Sequence, residues 1–171
     1  GSSMVAAYTL LAAGSTSRRL HLYDTFAGMV EPGDRDVQSV DGIEALPKWH
    51  RQKMDDINTW MYSPIEETRA NVYSTGYPED KFVFVKGKVE DTIPREVPES
   101  IAILRIDTDW YESTYHQLVH LFPLLSPGGV LIIDDYGSWQ GSREASDRYF
   151  DENSSPILLH RVDEGARIAM K

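Results

Sequence analysis

The chain has 171 residues, 41% of them hydrophobic and 26% charged, enough for one domain (residues 1–171) with a sizeable core. No apolar run nears the ~20 residues that span a bilayer, no secretory signal stands out, and the absence of cysteine excludes disulfides and thiolate metal sites. The lack of cysteine fits a cytoplasmic protein, and a formal net charge of -10 with no run of Lys and Arg argues against nucleic acid or an anionic membrane as partner.

Residues 4–13 (MVAAYTLLAA) are helix formers, and Gly14 is placed to end that helix. A buried strand follows at residues 20–23. Residues 28–48 carry Gly, Pro, Asp and Ser and read as a long loop, the kind that is either a functional lid or a disordered segment. Residues 49–74 are helical in character, divided at Pro64 and closed by Gly76. Residues 82–85 form the next strand, with Pro94 ending the short segment after it. Residues 101–106 (IAILRI) form a third strand, residues 112–125 a helix, 126–129 (SPGG) a turn, and 130–133 (VLII) a fourth, wholly apolar strand. Residues 141–150 suit a helix. The tail from Ile157 reads as two strands joined at Asp163-Glu164-Gly165, a hairpin signal.

Strands alternating with helices, the middle ones apolar on both faces, mean an α/β fold with a mostly parallel sheet covered by helices, closed by an antiparallel hairpin. Ligands bind such sheets beyond the carboxyl ends of the strands. Three strands end there in acids: one at Asp24, one at Asp107 and Asp109, one at Asp134 and Asp135. Clustered carboxylates repel one another and need a counter-charge. Few basic residues lie near in sequence, whereas a divalent cation such as Mg²⁺ accepts carboxylate oxygens and keeps positions for a substrate. Helix capping is the alternative reading for Asp109. Asp24 suits an acid that holds ribose hydroxyls, or simply begins a loop. Trp110, Tyr111, Tyr136 and Trp139 flank the acids and could wall a pocket or pack the core. His50 and His160 read as structural. His116 and His120 are four apart on a helix without a third ligand, which favours a surface role.

The runs LYDTFAGM, STGYPEDKFVFVKGKVEDTIP, LRIDTDWYESTYHQL and LSPGGVLIIDDYGSWQG resemble the macrocin O-methyltransferase (TylF-type) family, in that family's order and over most of residues 20–150. The wider similarity is to catechol O-methyltransferase. The resemblance implies a Rossmann-like class I methyltransferase sheet and an enzyme that moves a methyl group from S-adenosylmethionine to a hydroxyl. The acceptor would be a small molecule, a sugar or natural product, and Mg²⁺ or another divalent cation would take part. Carried over by position, Asp107, Asp134 and Asp135 are the metal ligands, and Asp107 or Asp109 is the general base. Asp24, with Thr25 and Phe26 beside it, binds the ribose side of the cofactor, and Val89 and Glu90 touch its adenine. Members of the family tend to associate, so a homo-oligomer is expected. The family's first strand and glycine-rich turn precede the blocks matched here, so the chain reads as N-terminally truncated. Residues 1–4 (GSSM) are then the end of that turn, with Ser3 on the cofactor's carboxylate, or a cloning remnant.

Two other readings compete. A haloacid dehalogenase-type phosphohydrolase also uses DxD and DD motifs with Mg²⁺, but its motifs lie farther apart than 107 and 134, and its second Asp is followed at two residues by Thr or Val where this chain has Tyr111. A catalytically inactive remnant acting as a binding module is the other.

Overall fold

A computed structural model describes residues 1–153 and 157–171. In chain order its elements are α1 (Ser2–Ala12), β1 (Leu20–Asp24), α2 (Leu46–Gln52), β2 (Lys53–Met54), β3 (Ile57–Asn58), α3 (Ile65–Tyr73) and β4 (Phe82–Lys86). Then come α4 (Val89–Thr92), β5 (Ile101–Ile106), α5 (Tyr111–Leu121), β6 (Leu125–Ile133), α6 (Gln140–Glu152), β7 (His160–Arg161) and β8 (Arg167–Met170). They divide into two compact units, one made of Gly1–Val30 and Gln52–Thr92, the other of Glu31–Arg51 and Ile93–Lys171.

In the first unit β1 and β4 pair in parallel, Leu20 opposite Phe82 and Asp24 opposite Lys86. α1 ends as the sequence predicts, with Gly14 at φ 66° and Ser15 N–H donating to the Leu10 carbonyl. The core here gathers Ala7, Val72, Tyr77 and Phe82, with Leu22 and Phe84 packed against it. The Tyr77 hydroxyl meets its one buried need by donating to the Arg18 carbonyl at 2.8 Å. β1 is half-buried along its length rather than buried, because its one partner among the described residues is β4.

The helix expected over residues 49–74 forms only at its two ends. Between them Lys53 pairs with Asn58 and Met54 with Ile57 in a short hairpin. Asp55 turns that hairpin at φ 45°, a left-handed conformation that a short polar side chain tolerates. Pro64 caps α3, where its missing N–H costs nothing. The long loop is shorter than expected, since α2 already begins at Leu46.

The second unit holds a four-stranded sheet in the order β5-β6-β8-β7. β5 and β6 are parallel, with Ile106 opposite Ile133; β6 and β8 are antiparallel, and so are β8 and β7. β6 is therefore paired on both sides, and Leu131 and Ile133 are fully buried. β5 is an edge strand among the described residues, which leaves Ile103 64% exposed. The SPGG turn lies inside β6: pairing starts at Leu125, and the extra residues form an irregularity opposite Ile101 to Ile103. α5 stops at Leu121, four residues before the predicted end, and Phe122–Leu124 tightens into a 3₁₀ turn around Pro123. α5 packs on β5 and α6, burying Leu118, Leu121, Ala145 and Tyr149. The terminal hairpin forms as predicted, its turn fixed by the Asp163 carboxylate accepting from the Gly165 and Ala166 N–H groups at 2.8 and 2.7 Å. No helix among the described residues is long and apolar enough to cross a membrane.

Candidate active site

The register of β5 and β6 decides where the acids go. Ile106 and Ile133 are partners, and the Asp134 N–H donates to the Ile106 carbonyl at 3.0 Å. The next residues, Asp107 on one strand and Asp134 on the other, must therefore leave the sheet side by side. Asp107, Asp134 and Asp135 each offer an oxygen within 4.8 Å of the other two. One cation with bonds of about 2.0–2.6 Å can reach ligands no farther apart than about twice that, so the three fit a single ion. All three donors are hard carboxylate oxygens, the type that Mg²⁺ takes.

A protein counter-charge is present as well, contrary to the sequence expectation. The Arg105 guanidinium pairs with Asp107 and, at 2.9 Å, with Asp134. One guanidinium does not balance four carboxylates. Partial desolvation raises the Asp107 carboxyl above its ordinary range, against the pull of Arg105. Asp135, only 9% exposed, is pushed up to about 8 by burial and then by the charges of Asp109, Asp107 and Asp134. That residual repulsion is what a divalent ion would relieve.

Asp109 sits beside the triad in a constrained conformation. Its φ is 62°, which for a residue other than glycine stores about 1 kcal/mol or more. Three features hold it. Its N–H donates to Asp135 Oδ2 at 3.2 Å, and the Trp139 indole N–H donates to its Oδ1 at 2.7 Å. Trp139 in turn packs edge-on against buried Trp110, ring centroids 4.9 Å apart. Burial raises the Asp109 carboxyl to about 6. The neighbouring Thr108 is tied down through Gln117, whose amide donates to Thr108 Oγ1 at 2.8 Å. The DTD segment is thus braced from α5 and from the start of α6.

A cleft of about 440 Å³ opens beside the acids, walled by Asp134, Asp135, Ser138 and the hairpin turn at residues 163–166. A second of about 220 Å³ shares Ser138 and Glu164 with it and adds Gln38, Val40, Gly137 and Trp139. The hairpin comes this close because residue 137 is glycine: a Cβ there would lie 1.8 Å from the Glu164 carbonyl oxygen. The aromatic residues divide in role. Trp110 and Tyr111 are core, while Trp139 both packs and lines the second cleft. Tyr136 donates to Asp147 at 2.7 Å, and burial, then that bond, push its hydroxyl up to about 12.

The residues predicted to bind the cofactor lie in the other unit. Asp24 ends β1, and Val89 and Glu90 open the short helix that follows β4. The two strand ends are adjacent there, closed by the Gly87 N–H on the Asp24 carbonyl at 3.0 Å. The Asp24 carboxylate accepts from Phe26 N–H at 2.7 Å, and partial desolvation still leaves it above its ordinary range. Thr25 spends its hydroxyl on the Gly28 carbonyl. Phe26 is buried at φ 52°, its ring tilted against Phe84. Ser3 lies half-buried in the first turn of α1. His116 spends a ring nitrogen on the Ile93 carbonyl at 3.0 Å and packs on His120. Neither histidine belongs to a metal-binding group among the described residues.

The sequence reading missed Asp36. It is 2% exposed, and its Oδ1 accepts from the Tyr111 N–H at 2.8 Å. Nothing in GDRD distinguishes it from an ordinary loop acid, since its partner lies 75 positions away.

Comparison with known proteins identifies the family and the fold. A family model described as macrocin-O-methyltransferase (TylF) matches residues 1–168. A tetracenomycin-C rhamnosyl 4'-O-methyltransferase of Streptomyces olivaceus is 38% identical over 136 residues, 80% of this chain and 49% of that protein. The mycinamicin III 3''-O-methyltransferase of Micromonospora griseorubida is 34% identical over 140 residues, 76% of this chain and 55% of that protein. The solved structure of the O-methyltransferase NovP superimposes with a TM-score of 0.83 at 27% identity, covering 99% of this chain and 66% of that one. The calicheamicin methyltransferase CalS11 superimposes at 0.70 with 21% identity, covering 98% of this chain and 66% of that one, which supports the fold. The chain spans about half the length of the curated relatives it matches.

Proposed function

Because this chain belongs to the macrocin O-methyltransferase (TylF) family, we propose that it supplies the acid-bearing site of an S-adenosylmethionine-dependent O-methyltransferase whose acceptor is a hydroxyl on a sugar or other natural product. The observation that carries this reading is the convergence of Asp107, Asp134 and Asp135 within one cation's reach. Its relatives are named for O-methylation of a rhamnosyl-tetracenomycin and of mycinamicin III. The family match also sets aside the phosphohydrolase reading.

Asp107, Asp134 and Asp135 would hold the divalent ion. Bound there, it would supply a positive charge that lowers the pKa of an acceptor hydroxyl and orients it. The chain's own residues do the rest. Asp109 takes the hydroxyl proton, a role suited by burial, which raises its carboxyl above the ordinary range. Asp107 is the weaker choice of base because Arg105 already engages it. Trp139 keeps Asp109 aimed by occupying one carboxylate oxygen. The cleft walled by Ser138 and residues 163–166 receives the acceptor, and holding it at reaction distance supplies much of the acceleration. For the cofactor, the reading assigns ribose to Asp24 with Thr25 and Phe26 beside it, adenine to Val89 and Glu90, and the methionine carboxylate to Ser3.

Calorimetric titration with S-adenosylhomocysteine, with and without Mg²⁺, tests the proposal together with a mass-spectrometric methyl-transfer assay on a simple glycoside. Binding with metal-dependent transfer supports it. Silence in every arm favours the inactive binding module instead.

A further inference from the structure

We propose that Asp36 is a positioning residue: its buried carboxylate fixes the two strand-to-helix connections that carry the acids, and so sets the geometry of the metal-binding group. The inference rests on the proposed function only where metal is measured.

Asp36 is anchored on three sides. Its Oδ2 accepts from the Gly33 N–H at 2.7 Å, its Oδ1 from the Tyr111 N–H at 2.8 Å, and its carbonyl from the Ala45 N–H at 3.0 Å. Tyr111 is the first residue of α5, and the cap residue Trp110 makes no side-chain capping bond. One of the orphan donors of that helix is therefore met from 75 residues away. A negative group at a helix N-terminus is also favoured by the helix dipole.

The slot that Asp36 fills is bounded on its far side by the first turn of α6. A Cβ on Gly141 would lie 2.1 Å from Asp36 Oδ1 and 3.1 Å from the Tyr111 nitrogen. One carboxylate thus sits where α5 and α6 both begin. Residues 107–110 lead into the first helix, residues 134–139 into the second, and each stretch carries half of the acid group. The loop around Asp36 repeats the connection. The Gln140 N–H donates to the Val37 carbonyl at 2.9 Å, and the Ser39 N–H to the Ser138 carbonyl at 2.9 Å. The Arg35 guanidinium lies 4.2 Å from the Tyr111 ring centre and pairs with Glu144 at 2.8 Å. Residues 33–45 are therefore tied to the starts of both α5 and α6.

Hydrogen–deuterium exchange and Mn²⁺ binding read by electron paramagnetic resonance test this on the full chain. Asp36→Asn keeps the shape but turns an amide donor toward one of two N–H donors. We expect exchange about tenfold faster at residues 107–112 and also at 135–141, where Asp36 makes no bond. We expect Mn²⁺ affinity to fall by roughly 3- to 10-fold, the scale on which indirect partners of a metal ligand act. Gly141→Ala displaces the same carboxylate from the other side and is expected to reproduce both effects; it also stands in if Asp36→Asn fails to fold. Leu118→Ala, a core change in α5, controls for stability and should leave Mn²⁺ affinity in place. Exchange changes confined to residues 33–45 and Tyr111, with Mn²⁺ affinity within about twofold of wild type, would overturn the proposal. If the wild-type protein binds no Mn²⁺, the metal reading fails and the exchange pattern at 135–141 still decides this one.

Discussion

The two units use the same device with different chemical content. In each, two parallel strands run side by side and acids stand at their carboxyl ends: Asp24 ends β1, whose partner β4 ends at Lys86, while Asp107 and Asp134 directly follow β5 and β6. At the first rim Asp24 lies opposite Lys86, and its carboxylate is spent largely on its own turn. At the second rim four carboxylates gather with one guanidinium, which pairs with Asp107 and Asp134, and the other two, Asp109 and Asp135, are raised to about 6 and about 8. Strand-end geometry alone therefore does not set the charge at a sheet rim. What distinguishes the second rim is charge that the protein leaves unbalanced.

Paired substitutions break or sharpen that contrast most strongly. Asp134→Asn should abolish Mn²⁺ binding and lower methyl transfer by roughly 10³-fold, the several kcal/mol that a Lewis acid contributes. Asp24→Asn should leave Mn²⁺ binding unchanged and weaken S-adenosylhomocysteine by about tenfold, the loss of one charge-assisted hydrogen bond. Calorimetry and electron paramagnetic resonance on both variants separate the effects. A loss of metal on changing Asp24 would show that the two rims are not chemically distinct.

The second expectation concerns pH. Without metal, Asp135 and Asp109 bind protons more tightly folded than unfolded, since their folded values of about 8 and about 6 lie above the ordinary 3.8. Stability must then fall as pH rises from about 4 to about 8, because the folded state loses protons that the unfolded state has already lost. Mg²⁺ should reverse the slope by favouring the ionised carboxylates. Thermal melts at pH 5 and pH 8, each with and without Mg²⁺, measure this. A melting temperature that rises with pH in the absence of metal would contradict it.

Much of the second unit was readable from sequence because its signals are local. An apolar strand followed by acids, twice, marks Asp107, Asp134 and Asp135 within short stretches of sequence. Gly14 and the Asp163 turn were readable for the same reason. Arg105 was readable and overlooked: two positions before Asp107 on a strand, it shares that residue's face. The hairpin at Lys53–Met54 and Ile57–Asn58 was not, because its turn needs a left-handed Asp55 that looks like any polar helix residue. Asp36 and the bond from Trp139 to Asp109 depend on partners 75 and 30 residues away, and no window along the chain contains both ends.

The smallest effect expected tests that last bond and hence how the two rims differ in precision. Trp139→Phe removes the indole donor to Asp109 while keeping an aromatic ring against Trp110. The bond favours the ionised carboxylate, so its loss should raise the Asp109 pKa further and move the acidic limb of the rate profile to higher pH. Near pH 6 the variant should run roughly 5-fold slower, the scale of one hydrogen bond, and it should approach wild type as pH rises past both values. KM should change little, since Trp139 aims a base rather than carrying the acceptor. An equal loss of rate at every pH would mean that Trp139 acts through packing alone, and would move the precision of this site from the Asp109 carboxylate to the shape of the cleft.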